Sequence, residues 1–198
     1  MKKNNYYYYL PGFGPLSAIL ILSFLLLIAT AGFTYWSINQ AKERDQIRLA
    51  NFRKIQSAIN QYYNEYGEFP AGDKDVGNWD LGYQNNDDHR FIYHLVEKGF
   101  LPANFSADPI SKYDPNQGID YTFRYQAYAD DGQFCPRGQG PFYVLGIRDL
   151  ESSTGDPADP HQFEGSGFSC KNRNWQDEFD YVVGVFAHPI KNKTPDNK

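Results

Sequence analysis

Cysteine, histidine and clustered acid are the residue types of this chain that could do chemistry, and their spacing decides how much. Cys135 and Cys170 are the two cysteines, and neither belongs to a C-x-x-C pair. A zinc site or a dithiol redox motif is therefore not indicated. Two readings stay open for them: a disulfide, which suits a loop-rich domain in an oxidising space, or two buried unpaired thiols. His89 and His94 are not spaced to share a helix face, and His161 and His188 stand alone. Each reads as a surface or hydrogen-bonded histidine rather than as a metal ligand or base. Asp73, Asp75, Asp80, Asp87 and Asp88 form one acidic loop, and Asp156, Asp159 and Glu164 another. Oxygen-rich loops can hold Ca²⁺, but neither run has EF-hand spacing, so solvated loop charge is the plainer reading and no cofactor is expected. Gly165-Ser166-Gly167 lacks the G-x-S-x-G pattern, and Gly138-Gln139-Gly140 is too short for a phosphate loop. With no nucleophile–base set in view, the chain does not read as an enzyme.

The elements that must carry these residues begin with an apolar run. From Pro15 to Ile38 no residue is charged. As a helix this run is about 36 Å long, enough to cross a hydrocarbon layer of about 30 Å. Lys2 and Lys3 precede it, and Tyr35 and Trp36 sit where interfacial aromatics belong. A cleaved secretory signal is the competing reading, because Ala29, Thr30, Ala31 and Gly32 offer small residues for a cut. The run exceeds the usual h-region of about 7–15 residues, which favours retention in the membrane. The charges that follow, Lys42, Arg44, Arg48, Arg53 and Lys54, outnumber those before the span, so the positive-inside count alone puts the C-terminal side in the cytoplasm. The cysteine pair argues the reverse.

The helical pattern continues past the span. Phe52, Ile55, Ile59, Tyr62 and Tyr66 recur at steps of three and four, an apolar stripe expected to pack on the protein's own sheet. Asn51, Arg53, Lys54, Asn60, Gln61 and Asn64 occupy the opposite face. Lys42, Glu43, Arg44 and Asp45 mark the water interface, and Gly67 and Pro70 end the helix.

Beyond Pro70 the chain changes character. Residues 71–88 read as a long loop, with Trp79, Leu81 and Tyr83 as isolated apolar residues. Residues 88–98 suggest a short helix, and strands are predicted over 120–129, 142–150 and 180–187. Tyr and Phe, 16 and 15 of them, suit half-buried pleated surfaces. The fold class expected is α+β: a long N-terminal helix, transmembrane in its first half and amphipathic in its second, packed on a small antiparallel sheet. The expected organisation is a basic leader over 1–12, a transmembrane helix over 13–40, its amphipathic continuation over 41–66, a head over 67–190 and a disordered tail over 191–198. A net charge of −5, with no basic block after the helix, argues against nucleic acid as a partner.

Two passages resemble a known family. Residues 41–70 hold Arg48, Phe52, Ile55, Ala58, Ile59, Tyr62, Tyr63, Gly67, Phe69 and Pro70. They are similar to the charged membrane exit and closing helix turns of type IV pilins and type II secretion pseudopilins, nearest the major pseudopilin group. Leu95 to Pro102, followed by Asp108-Pro109, resembles a second passage of that family. The two cover about half the chain.

The resemblance implies a subunit of an envelope filament. It would be anchored by one helix, with a cytoplasmic N-terminus and an extracytoplasmic head, and would contact other pilin-like subunits through the N-terminal helix. It also implies that a prepilin peptidase cuts between Gly12 and Phe13, and it admits Ca²⁺ in sheet-edge loops as a minority expectation. The chain departs from the family where Ser17 replaces the usual membrane-embedded acid, which points to a minor or atypical subunit. The alternative is a single-pass anchored, extracytoplasmic binding domain that never polymerises.

Overall fold

The computed structural model describes residues 14–72, 77–82, 91–103, 105, 110, 112–114, 116, 119–152 and 166–187. The leader with Gly12 and Phe13, most of both acidic loops, His89, His161, His188 and the tail over 191–198 lie outside them. The chain divides into two compact units, Met1–Gln40 and Ala41–Lys198.

One helix, α1, runs from Pro15 to Tyr66, 52 residues. Up to Ile38 its apolar side chains are exposed. Three hydroxyls in this part turn back onto the helix: Ser23 donates to the Leu20 carbonyl, Thr30 to that of Leu27 and Thr34 to that of Thr30. No side-chain O–H among these needs an outside partner, as a hydrocarbon environment requires. After Tyr66, Gly67 takes a left-handed φ of 79° and its N–H bonds the Tyr63 carbonyl, which closes the last turn.

The second unit is built on a four-stranded antiparallel sheet. Its strands are β1 (Asp80–Leu81), β4 (Phe123–Tyr128), β5 (Phe142–Ile147) and β8 (Tyr181–Phe186), in the order β1-β4-β5-β8. Two small hairpins flank it: β2 (Lys112–Asp114) with β3 (Ile119–Tyr121), and β6 (Ser169–Cys170) with β7 (Arg173–Asn174). A five-residue helix, α2 (Tyr93–Glu97), and a 3-10 turn (Trp175–Asp177) complete it.

All six residues of β5 are buried, so both faces of the sheet are covered. Alternate side chains go to opposite faces. Tyr143, Leu145 and Ile147 join Phe123, Tyr125 and Tyr181 in a core with Phe52, Ile55, Ala58, Ile59 and Tyr62 of α1. Phe142 and Val144 point the other way, into a layer with Leu81, Tyr128, Trp175, Phe179 and Val182. The glycines of the sheet admit that second layer. A Cβ on Gly146 would lie 2.5 Å from the Phe179 ring, and one on Gly184 would collide with Phe168. The missing side chains let both rings lie against the strands.

Several expectations are corrected. The stretch read as a loop over 71–88 contributes an edge strand, Asp80–Leu81, pairing with Tyr125 and Arg124. Two residues are too few to show a period of two. The strand expected over 120–129 is divided at Thr122. Its first part pairs with β2, while β4 joins the main sheet, and Ala127 is exposed. The short helix expected over 88–98 is present as Tyr93–Glu97, and residues 88–90 lie outside the described ones. Ile92, with a left-handed φ of 44°, precedes it and donates its N–H to the buried Asp80 carboxylate at 2.9 Å. That conformation is costly for a β-branched residue and is held by the bond to Asp80 and by complete burial.

Candidate functional site

The surface with the plainest chemical capacity is the exposed apolar part of α1. Leu16, Ile19, Leu20, Leu22, Phe24 to Ile28, Phe33, Tyr35, Trp36 and Ile38 are all exposed. Water disfavours so large an apolar surface, at about 25 cal/mol per Å². Near the N-terminus, α1 is long and apolar enough to span a membrane.

Within the second unit, α1 enters the fold through polar residues. Asp45 and Arg48 are 1% and 0% exposed. The Asp45 carboxylate accepts the backbone N–H of Glu151 at 3.2 Å and of Ser152 at 2.8 Å. Arg48 Nη1 donates to the Asp149 carbonyl at 2.7 Å and reaches Asp45 Oδ1 at 3.4 Å. The Arg48 guanidinium also lies 5.8 and 5.9 Å from the ring centres of Tyr121 and Phe123, within cation–π reach. Beside them Arg44 grips Glu151 with two bonds of 2.6 and 2.5 Å, which raises the Arg44 pKa above its ordinary value. Burial, and then the charges of Asp180 and Asp120, hold the Asp149 carboxyl above the usual carboxylate range. Three charges within one turn of α1 thus fix the segment that leaves β5.

Asp45 differs from the sequence reading, which placed it with Arg44 at the water interface: Asp45 is buried, whereas the Arg44 side chain stays 35% exposed. The missed signal is periodic. Asp45 and Arg48 extend the stripe of Phe52, Ile55, Ile59 and Tyr62 backwards at the same three–four steps, so their side chains share its buried face. Four members of the expected stripe are buried in the helix–sheet core. Tyr66 is a correction: it is 45% exposed and packs only at its edge, against Tyr62 and Phe100.

Cys135 and Cys170 form a disulfide, with Cα atoms 5.0 Å apart across a sequence separation of 35. It ties the turn after β4 to the β6–β7 hairpin, and so closes the second aromatic layer. Arg173 sits among the Phe134, Trp175 and Trp79 rings, 5.2 to 5.6 Å from their centres, and holds Glu178 with two bonds of 2.7 and 2.8 Å. Asp130 accepts the N–H groups of Gly138 and Gly140, which makes that glycine pair part of a carboxylate-pinned turn. His94 faces Glu97 at 3.3 Å. Among the described residues, no group of three His, Cys, Asp or Glu side chains converges as a metal site would require.

Comparison of the chain with protein-family models, curated proteins and solved structures gives no match.

Proposed function

We propose that the chain is a pilin-like, membrane-anchored subunit of an envelope filament, a type IV pilus or a type II secretion pseudopilus, and a minor or atypical one. The observation that carries this reading is the division of labour along α1. One 52-residue helix is apolar and exposed in its first part and supplies the buried stripe of an antiparallel sheet in its last. An anchor that served only as a tether would not need to become the spine of the head. The disulfide supports a head in an oxidising, extracytoplasmic space, with the N-terminus cytoplasmic, against the positive-inside count. Contacts with other subunits would run through the apolar helix, where lateral packing replaces lipid.

A second reading is favoured by one specific residue. Ser17 stands where the resembled family carries an acid, and its hydroxyl is already bonded to the Gly14 carbonyl at 2.7 Å. A single-pass anchored binding domain that does not polymerise fits that position better. Terminal sequencing of the protein taken from the cell envelope separates the two. A mature start at Phe13 supports the filament subunit, and an intact Met1 supports the anchor. Protease added to spheroplasts, with the outer layers removed and the cytoplasmic membrane intact, tests the orientation: a head that survives until that membrane is lysed contradicts an extracytoplasmic location.

A further inference from the structure

We infer that the buried pair Asp45–Arg48 is a register key: it selects the turn of α1 that the head grips. The inference goes beyond the filament reading and holds whether or not the chain polymerises. The buried positions 45, 48, 52, 55, 59 and 62 repeat at three–four steps, and Tyr66 offers one more aromatic at the next step. A slide of one turn, about 5.4 Å, would put Tyr66 in the place of Tyr62, Tyr62 in that of Ile59 and Ile59 in that of Ile55. Each of these exchanges sets one large apolar or aromatic side chain in place of another; only Ala58, 2% exposed in the same core, is a small residue that a larger side chain would have to replace, so the apolar stripe specifies register in part and leaves the rest to its polar end.

The polar end does not repeat. In that slide Phe52 would face the Asp149 carbonyl, and Arg48 would bring its donors against the N–H groups of Glu151 and Ser152, which now meet the Asp45 carboxylate. In the opposite slide Asp45 would face the Asp149 carbonyl and Ala41 the two N–H groups. Either way buried donors or acceptors lose their partners, which a fold tolerates poorly. A buried charge pair is weak evidence for added stability, and its best-attested use is to fix register. One-turn slips of a packed helix are a known kind of two-state change.

The test uses the full chain in detergent micelles with its disulfide intact. Ser57→Cys and Ala127→Cys, both exposed, carry spin labels that report the distance from α1 to β4 by electron–electron resonance. With Asp45 and Arg48 present, one narrow distance population is expected. In Asp45→Leu/Arg48→Met, the head should still melt cooperatively while a second population appears, displaced by up to about 5 Å. An unchanged single population in the folded double variant overturns the inference. So does loss of the cooperative melt, which would give the pair a stabilising role instead.

Discussion

Replacing Phe52 by Ala tests whether α1 is the spine of the head. Phe52 is 0% exposed, and its ring meets Tyr181 edge-on at 4.8 Å and Phe123 at 6.4 Å. Truncating a buried Phe removes its transfer free energy and leaves a cavity, at about 3–5 kcal/mol. For a domain of this size, each kcal/mol lowers the melting temperature by about 2–4 °C, so a fall of about 6–20 °C is expected. Tyr66→Ala is the internal control: the same helix and the same stripe, but a side chain 45% exposed, for which about 1 kcal/mol or less is expected. The assay is thermal unfolding of the full chain in micelles followed by near-ultraviolet circular dichroism, which reports the packed aromatics of the head rather than helix content. Equal shifts for the two variants, or a shift below about 2 °C for Phe52→Ala, would refute the reasoning.

Three further outcomes are expected. Removing the disulfide with Cys135→Ser/Cys170→Ser should cost about 4 kcal/mol, the loop-closure value for a separation of 35 residues, measured by urea unfolding; a loss under about 1 kcal/mol counts against it. Asp149 has a carboxyl raised on folding, so between its unfolded and folded values the folded state binds more protons and stability falls as pH rises. Asp149→Asn should therefore raise the unfolding midpoint at neutral pH and change it little in acid, and an equal effect at both pH values would contradict the assignment. Burial raises Tyr128 to about 12 and also raises Tyr125 and Tyr143, whereas the unfolded phenols titrate near 10. Stability should accordingly be lost as pH climbs from 10 towards 12, with the phenolate absorbance of these residues appearing together with unfolding. A gradual titration with the aromatic dichroism intact is the contrary result.

How much of this was legible in the chain depends on periodicity. The α+β class, the long helix expected over 13–66 and the strands expected over 142–150 and 180–187 rest on sustained apolar runs and stripes, and the structure has them at Pro15–Tyr66, Phe142–Ile147 and Tyr181–Phe186. What escaped was too short or too mixed to show a period. Asp80–Leu81 is an edge strand of two residues, and it exists only because β4 offers it an edge. The second aromatic layer was hidden because β5 is apolar on both faces, a pattern that does not say what covers the far side. The Asp45–Arg48 pair was hidden by its charge: an ionised side chain near a membrane exit reads as solvated until its partners are seen to be backbone groups far along the chain. The disulfide was one of two open readings, since a single pair of cysteines carries little information about its own pairing.

The proposal that the apolar part of α1 joins this chain to others of its kind is tested most directly by a photo-crosslinking residue at Leu25, which is exposed in that part of the helix. In intact native envelopes, irradiation is expected to give covalent adducts whose partners, identified by mass spectrometry, are further copies of this chain or chains with the same apolar-then-amphipathic helix. Adducts with lipid alone, with the chain otherwise recovered as a monomer, would contradict the account.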